Sequence, residues 1–519
     1  MRNMRKLLSL LLALVMVFSL SVTAFAADGD ETEETYTITI PAGDAHNYEI
    51  YQIFTGDLHE GVLSNIKWGA NGIGETEALV DEDTLDAVMA ASGSNAEKLD
   101  VILNYVNLNT PFETVTGSAT EDVKVQVAPG YYLLKDASLP SEDDAYTTFI
   151  VLVVKDVEIS RKAAKPGIDK QVWDEETDDD KETDENWGET ADHELNESFQ
   201  FKLIATLTGD EDYADYKTYK LIFHDSMSAG ITFESIDKVT VNGEEISGYT
   251  YSATAGQAGG EWTLTIADLK QFDTDLTDGC VVEVIYNAHL NNNAVIGNKD
   301  DNLNDVYLEY SNNPNWDLTW GNDGKDNDND GEEDEDDEKD EPTGKTEKDT
   351  VWVFTYQIDV TKVDGANADK KLPNAEFKLQ NAAGEWLIVN AEGKVQSWTE
   401  KKDDGSVLKS NEQGVFSVIG LDHGTYYLVE TKAPEGYNLL DKPFEVTISA
   451  VHQEDTVITA STSFGEDVEG DSIVVTVENK AGIVLPETGG MGTTMIYILG
   501  AVMVLGAGVL LVTKRRMAM

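Results

Sequence analysis

Short runs in which apolar and polar residues alternate recur along most of this chain. Residues 36–40, 149–154, 281–285 and 473–477 are examples, and Gly, Asn and Asp turn residues separate such runs. A period of two sends successive side chains to opposite faces, so each run predicts a strand with one face in a core. Helical spacing is scarce. Between Asp81 and Asn107, however, Leu85, Val88, Met89, Leu99, Ile102 and Leu103 recur at three- and four-residue steps, which predicts a short helical insertion. The pattern is that of an all-β chain: tandem immunoglobulin-like β-sandwiches in a rod, with that insertion in the first domain.

Two apolar runs break the alternation, one at each end. Arg2, Arg5 and Lys6 precede an apolar stretch from Leu7 to Leu20, and Ala24, Phe25 and Ala26 follow it. That order reads as a secretory signal peptide, residues 1–26, cut between Ala26 and Ala27. At the other end, Met491 to Thr513 is uncharged and 23 residues long, enough to span a bilayer as a helix. Lys514, Arg515 and Arg516 come next and hold that end in the cytoplasm.

Just ahead of this span stand Leu485, Pro486, Glu487, Thr488 and Gly489. The pentapeptide, apolar helix and basic tail, in that order over residues 483–519, resemble the sortase sorting signal of Gram-positive surface proteins. The resemblance implies that a sortase cysteine attacks the Thr488 carbonyl, that Gly489 onward is discarded, and that an amine resolves the acyl-enzyme. It places the chain outside the cell, anchored to the wall.

Removal of both ends leaves 31 Lys+Arg against 98 Asp+Glu, a net charge of −67. Such a charge repels phosphate backbones and excludes nucleic acid as a partner. Cys280 is the single cysteine, so the chain can form no disulfide within itself. Covalent reinforcement, if present, has to come from other chemistry. Composition divides the mature chain into an N-terminal region, 27–164, a middle region with acidic loops, 165–349, and a C-terminal region, 350–482.

In the C-terminal region, alternation puts Ile358, Val360 and Lys362 on one face of a strand expected over 351–363. It does the same for Tyr426, Leu428 and Glu430, and for Val475, Val477 and Asn479. Three lone polar groups in an apolar core are costly apart, so they should meet. Residues 430–437, Glu-Thr-Lys-Ala-Pro-Glu-Gly-Tyr, resemble the E-x-x-A-P-x-G-Y segment of the B-type repeat (Cna-B) of collagen-binding adhesins. That resemblance implies an intramolecular isopeptide bond between Lys362 and Asn479, promoted by Glu430. Burial favours a neutral amine and a neutral acid, and the fold supplies the approach.

The middle region offers Lys170 near its start, Asp225 in a central run, and Asn304 in a closing strand, with Asn302 and Asn312 nearby. This resembles the isopeptide-forming fimbrial domain of Gram-positive backbone pilins, implying a Lys170–Asn304 bond promoted by Asp225. The same resemblance implies a polymerising lysine just before this domain. Lys162 fits that placement, with Lys165 the alternative, although Arg161 stands where proline is common.

The expected function is thus a shaft subunit of a covalently polymerised, wall-anchored pilus. The alternative is a monomeric adhesin that binds a host or matrix ligand. Expected partners are pilus-specific and housekeeping sortases, other copies of the chain, ancillary pilins and the peptidoglycan cross-bridge. No catalytic constellation of a turnover enzyme is visible, and no cofactor is expected. Asp326, Asp328 and Asp330 do have the opening spacing of a calcium loop, inside an acidic stretch where such spacing arises readily.

Overall fold

The computed structural model describes residues 35–91, 95–137, 148–159, 165–174, 186–209, 213, 216, 218–274, 276–297, 302–312, 343–449, 468–469, 472–482 and 503–504. Two compact units divide these residues. One holds the described residues through Tyr356 together with Gly420–His423; the other holds Gln357–Ile419, Gly424–Ser449 and the described residues from 468 onward.

Within the first unit, residues 36–158 form two sheets. Tyr36–Ile40 lies between Val123–Val127, antiparallel to it, and Val157–Glu158, parallel to it. The long strand Asp44–His59 pairs with Val62–Trp68, Glu113–Ser118 and Gly130–Asp136, and Thr148–Val153 adds beyond the last of these. Alternation gives the long strand two apolar faces. Tyr48 and Ile50 join Ile38, Ile40 and Val125 in one core, whereas Tyr51 and Ile53 join Trp68, Leu99 and Ile102 in another. Two helices, Glu82–Ala90 and Asn95–Leu103, cover that second face. The predicted helical stretch is therefore split. Asp81 caps the first helix by accepting from the Thr84 backbone N–H at 2.8 Å, and Ala91, at φ −58° and ψ 118°, has left the helical region ahead of a Ser-Gly-Ser sequence.

The middle region is one twelve-stranded sheet. Its organising strand, Leu221–Val241, changes partners along its length. Residues 221–227 pair with Leu303–Ser311 on one side and Ala258–Ile266 on the other; residues 231–241 pair with Cys280–Leu290. Ser198–Leu207 bridges Cys280–Leu290 to Gly167–Trp173. At the changeover Gly259 has φ +64°, and a Cβ there would stand 2.9 Å from the Ala229 Cα. Only glycine permits that approach.

The strand expected over 351–363 is two strands. Asp349–Phe354 completes the middle-region sheet beside Leu303–Ser311, and Tyr356–Asp364 begins a new one. In the second unit, Tyr356–Asp364 runs parallel to Ser472–Asn479, and a six-stranded sheet centres on Glu376–Asn381 and Gly424–Lys432. Tandem β-sheet domains with few helices are the fold of this chain. Among the described residues no helix is long and apolar enough to cross a membrane. The run from Met491 to Thr513 lies outside them except for Met503 and Val504.

Candidate functional site

Lysine is among the residue types most rarely buried, because its ammonium loses hydration that the interior seldom replaces. In this chain Lys170 and Lys362 each have no exposed surface. Both occupy inward positions of alternating strands, so the backbone leaves their side chains nowhere but the core.

Lys170 projects from Gly167–Trp173, opposite Leu203 in the register. Its Nζ donates to Asp225 Oδ2 at 2.5 Å and to the Asp305 carbonyl at 3.3 Å. Asp225 comes from the organising strand and is fully buried too. Its Oδ1 accepts from Trp262 Nε1 at 3.0 Å, and its Oδ2 also accepts from the Tyr286 hydroxyl at 3.0 Å. Asn304, fully buried on Leu303–Ser311, donates through Nδ2 to the Tyr286 hydroxyl at 2.6 Å, while its Oδ1 has no hydrogen-bond partner. Burial pushes Lys170 below the ordinary lysine range and Asp225 above the ordinary carboxyl range, against the attraction between them. Both shifts favour the neutral amine beside the neutral acid.

Asn302 is engaged elsewhere: its side chain accepts from the Val295 N–H at 2.9 Å and donates to the Val295 carbonyl at 2.7 Å. Asn304 reaches Asp225 through the Tyr286 hydroxyl, and Lys170 Nζ meets the carbonyl of the next residue, Asp305.

The second unit has its own version. Lys362, Glu430 and Asn479 are all buried, on Tyr356–Asp364, Gly424–Lys432 and Ser472–Asn479. Asn479 Nδ2 donates to both Glu430 oxygens, at 2.8 and 3.1 Å, and to the Asn438 carbonyl at 3.0 Å. Glu430 Oε2 also accepts from the Leu440 N–H at 2.9 Å. Lys362 Nζ donates to the Val477 carbonyl at 2.8 Å, two residues before Asn479, and Asn479 Oδ1 has no hydrogen-bond partner. Burial lowers Lys362 to about 8. An amine, an acid and a carboxamide with an unsatisfied carbonyl thus converge twice, on different strands.

Sequence comparison places the ends of the second unit. Residues 356–462 match the prealbumin-like fold domain of SpaA, and residues 477–518 match the LPXTG cell-wall anchor motif. The chain is pilin-like and carries an LPXTG wall anchor. It is 26% identical over 238 residues to the trypsin-resistant surface T6 protein of Streptococcus pyogenes serotype M6, covering 44% of this chain and 37% of that one. It is 36% identical over 95 residues to the fimbrial subunit type 1 of Actinomyces viscosus, covering 18% of this chain and 16% of that one. The chain therefore spans well under half the length of either curated relative. In fold it resembles the T6 backbone pilin of serotype M6 Streptococcus pyogenes, whose structure is described as modular and three-domain; the TM-score is 0.51 at 16% identity, covering 87% of this chain and 100% of that one. The wall anchor sets the chain on the cell surface.

Lys362 and Glu430 fall inside the SpaA domain match, and Asn479 falls at the head of the anchor match. Ala26, Ala27, Lys162, Asp326, Asp328, Asp330 and Leu485 to Gly489 lie outside the described residues; Lys165 is described and exposed. Tyr286 and Trp262 went unmarked by sequence reasoning, because an aromatic at an inward strand position looks like ordinary core. Cation-type donors gather at Asp192, Asp422 and His423, and at His193, Glu197 and Asp422, all in the first unit. There His423 Nδ1 lies 2.7 Å from Asp192, its hydrogen bonds to Asp192 and Asp422 raise His423 to about 11, and burial raises Asp422 to about 7.

Proposed function

We propose that this chain is the structural shaft subunit of a covalently polymerised, wall-anchored pilus, stiffened by Lys170–Asn304 and Lys362–Asn479 isopeptide bonds. The observation that carries this reading is the pair of fully buried lysines, each set with an acid and an asparagine in a β-sheet core. In each case the neutral lysine amine attacks the asparagine Cγ, the new Nζ–Cγ bond forms, the Cγ–Nδ2 bond breaks, and ammonia leaves. Asp225 and Glu430 promote the step, and the fold supplies the proximity. This is single-turnover chemistry of a structural protein, with no cofactor required.

Thr488 would then pass through a sortase acyl-enzyme to Lys162, or Lys165, of another copy, with transfer to the peptidoglycan cross-bridge at the fibre base. Ancillary pilins and a host surface ligand complete the partners of this reading. The negative charge of the mature chain suits a self-repelling rod.

Wall extracts on denaturing gels test the assembly. A high-molecular-weight ladder that collapses in the Lys162→Ala variant, or in Lys165→Ala, supports the shaft. A single band in the wild type supports the monomeric adhesin instead, a reading favoured by Arg161 in the place where a proline is common. Intact mass tests the bonds, since each one removes one ammonia.

A further inference from the structure

The two buried constellations differ in how the asparagine reaches its acid. In the second unit, Asn479 Nδ2 donates directly to both oxygens of Glu430. In the middle region a hydroxyl stands between: Asn304 Nδ2 donates to Tyr286 at 2.6 Å, and Tyr286 donates to Asp225 Oδ2 at 3.0 Å. Aspartate is one methylene shorter than glutamate, and the phenol occupies the difference. Tyr286 is fully buried on Cys280–Leu290, among the inward positions Val282, Val284 and Ala288. An apolar residue would suit that position for packing alone. Its ring stacks near Phe201 at 5.2 Å between centroids, and Trp262 meets it edge-on at 5.0 Å, so the hydroxyl is held in place from both sides. Lys170 Nζ lies 6.0 Å from the same ring's centroid.

We infer that Tyr286 is a catalytic residue of the middle-region condensation, relaying a proton from Asp225 to the leaving nitrogen of Asn304. The inference rests on the proposed Lys170–Asn304 bond and deepens it. Lys170 first yields a proton to Asp225, giving amine and carboxylic acid. Nζ attacks Cγ, the carbonyl electron pair moves to Oδ1, and a tetrahedral intermediate forms. Once protonated, Asp225 donates to the Tyr286 oxygen and the hydroxyl turns to Nδ2, reversing both hydrogen bonds; as the Oδ1 pair returns and Cγ–Nδ2 breaks, Nδ2 takes the phenolic proton and Tyr286 takes the Asp225 proton in its place. The Asp225 carboxylate recovers a proton from the now cationic Nζ. One ammonia leaves and one amide forms; Tyr286 ends as it began, and Asp225 ends as the carboxylic acid, holding the proton that the Lys170 ammonium brought. Burial and the neighbouring Asp225 raise the Tyr286 pKa well above its ordinary value, so the hydroxyl holds its proton until the leaving nitrogen calls for it.

The test follows the mature chain from its cell-free synthesis, sampled over time by intact mass and by mapping of the two cross-linked peptides. The Lys362–Asn479 link in the same molecule is the internal control. Tyr286→Phe is expected to slow the Lys170–Asn304 link by about a hundredfold, the usual scale for losing a general acid, and to leave the control link unchanged. The double variant Asp225→Glu/Tyr286→Phe is expected to recover much of the rate, because the longer acid reaches Asn304 without the hydroxyl, as Glu430 reaches Asn479. Formation of the middle link at the wild-type rate in Tyr286→Phe overturns the relay. So does a loss that the double variant fails to recover, which assigns Tyr286 to packing. Absence of the middle link in the wild type removes instead the proposed bond on which the relay depends.

Discussion

Lys362 and Lys170 are costly residues to bury, and their partners decide whether that cost is tolerated. Removing one member of a buried charge pair leaves the other uncompensated, at about 3–5 kcal/mol. Asp225→Ala is therefore expected to destabilise the middle region more than Asn304→Ala does, although both abolish the same bond; urea midpoints of the two variants give the comparison. Lys362 carries a pH signature as well. Its folded pKa of about 8 lies below the ordinary lysine value, so between pH 8 and about 10.4 the unfolded chain binds more protons than the folded one. An unbonded Asn479→Ala variant should accordingly gain stability as pH rises through that window, by an amount of order 3 kcal/mol at most. The gain should vanish when Lys362→Met is added; a gain that persists in the double variant would assign it to another group. Formation of the Lys362–Asn479 bond should likewise quicken as pH approaches and passes 8, where the neutral amine becomes the main form.

Strands, rather than single residues, carry the consequence of the proposed bonds. Tyr356–Asp364 and Ser472–Asn479 lie side by side and in parallel, yet more than a hundred residues separate them in sequence. A covalent tie across such a loop restricts the unfolded chain by about 4–5 kcal/mol on the loop-entropy scale used for disulfides. Loss of the tie in Asn479→Ala should therefore lower the melting temperature of the second unit and expose it to protease, as read by calorimetry and by limited digestion. A second device joins strands of the middle region. His224 on the organising strand lies 3.0 Å from Glu261 and 2.9 Å from Glu309, on the strands to either side, and stacks on Tyr307. Hydrogen bonds and charge from the two glutamates outweigh its partial burial and raise its pKa. The raised value makes its contribution complete below about pH 6.5 and lost as pH climbs through the folded pKa. His224→Gln should then cost more stability at pH 6 than above the folded pKa, where the imidazole is neutral; an equal cost at both would mean that the imidazole acts by stacking alone.

For the whole molecule, the ends and the interior divide the work. Thr488 in the wall-anchor motif should determine retention: Thr488→Ala is expected to move the chain from the wall fraction to the membrane fraction and medium, as followed by immunoblot. Much of this was legible in the linear chain, because its signals are local. Alternation with a period of two announces strands and assigns Lys362, Glu430 and Asn479 to inward faces, and the apolar runs and the pentapeptide need no fold to be read. Strand partners were not legible, since hydrogen-bonded neighbours such as Gly167–Trp173 and Ser198–Leu207 are chosen by long-range packing. For the same reason the run over 351–363 looked like one strand, although its first half completes the middle-region sheet and its second half begins another. Asn304 could not be separated from Asn302 or Asn312 by spacing alone; the Val295 backbone engages Asn302, and the Tyr286 hydroxyl links Asn304 to the buried acid. Tyr286 was hidden most completely, because an inward aromatic has the same pattern whether it only fills space or also presents a hydroxyl to a buried carboxylate. Sequence determined which residues must be buried and where the wall-anchor motif lies. Tertiary structure alone decided which buried polar groups meet, because that depends on strands brought together from distant parts of the chain.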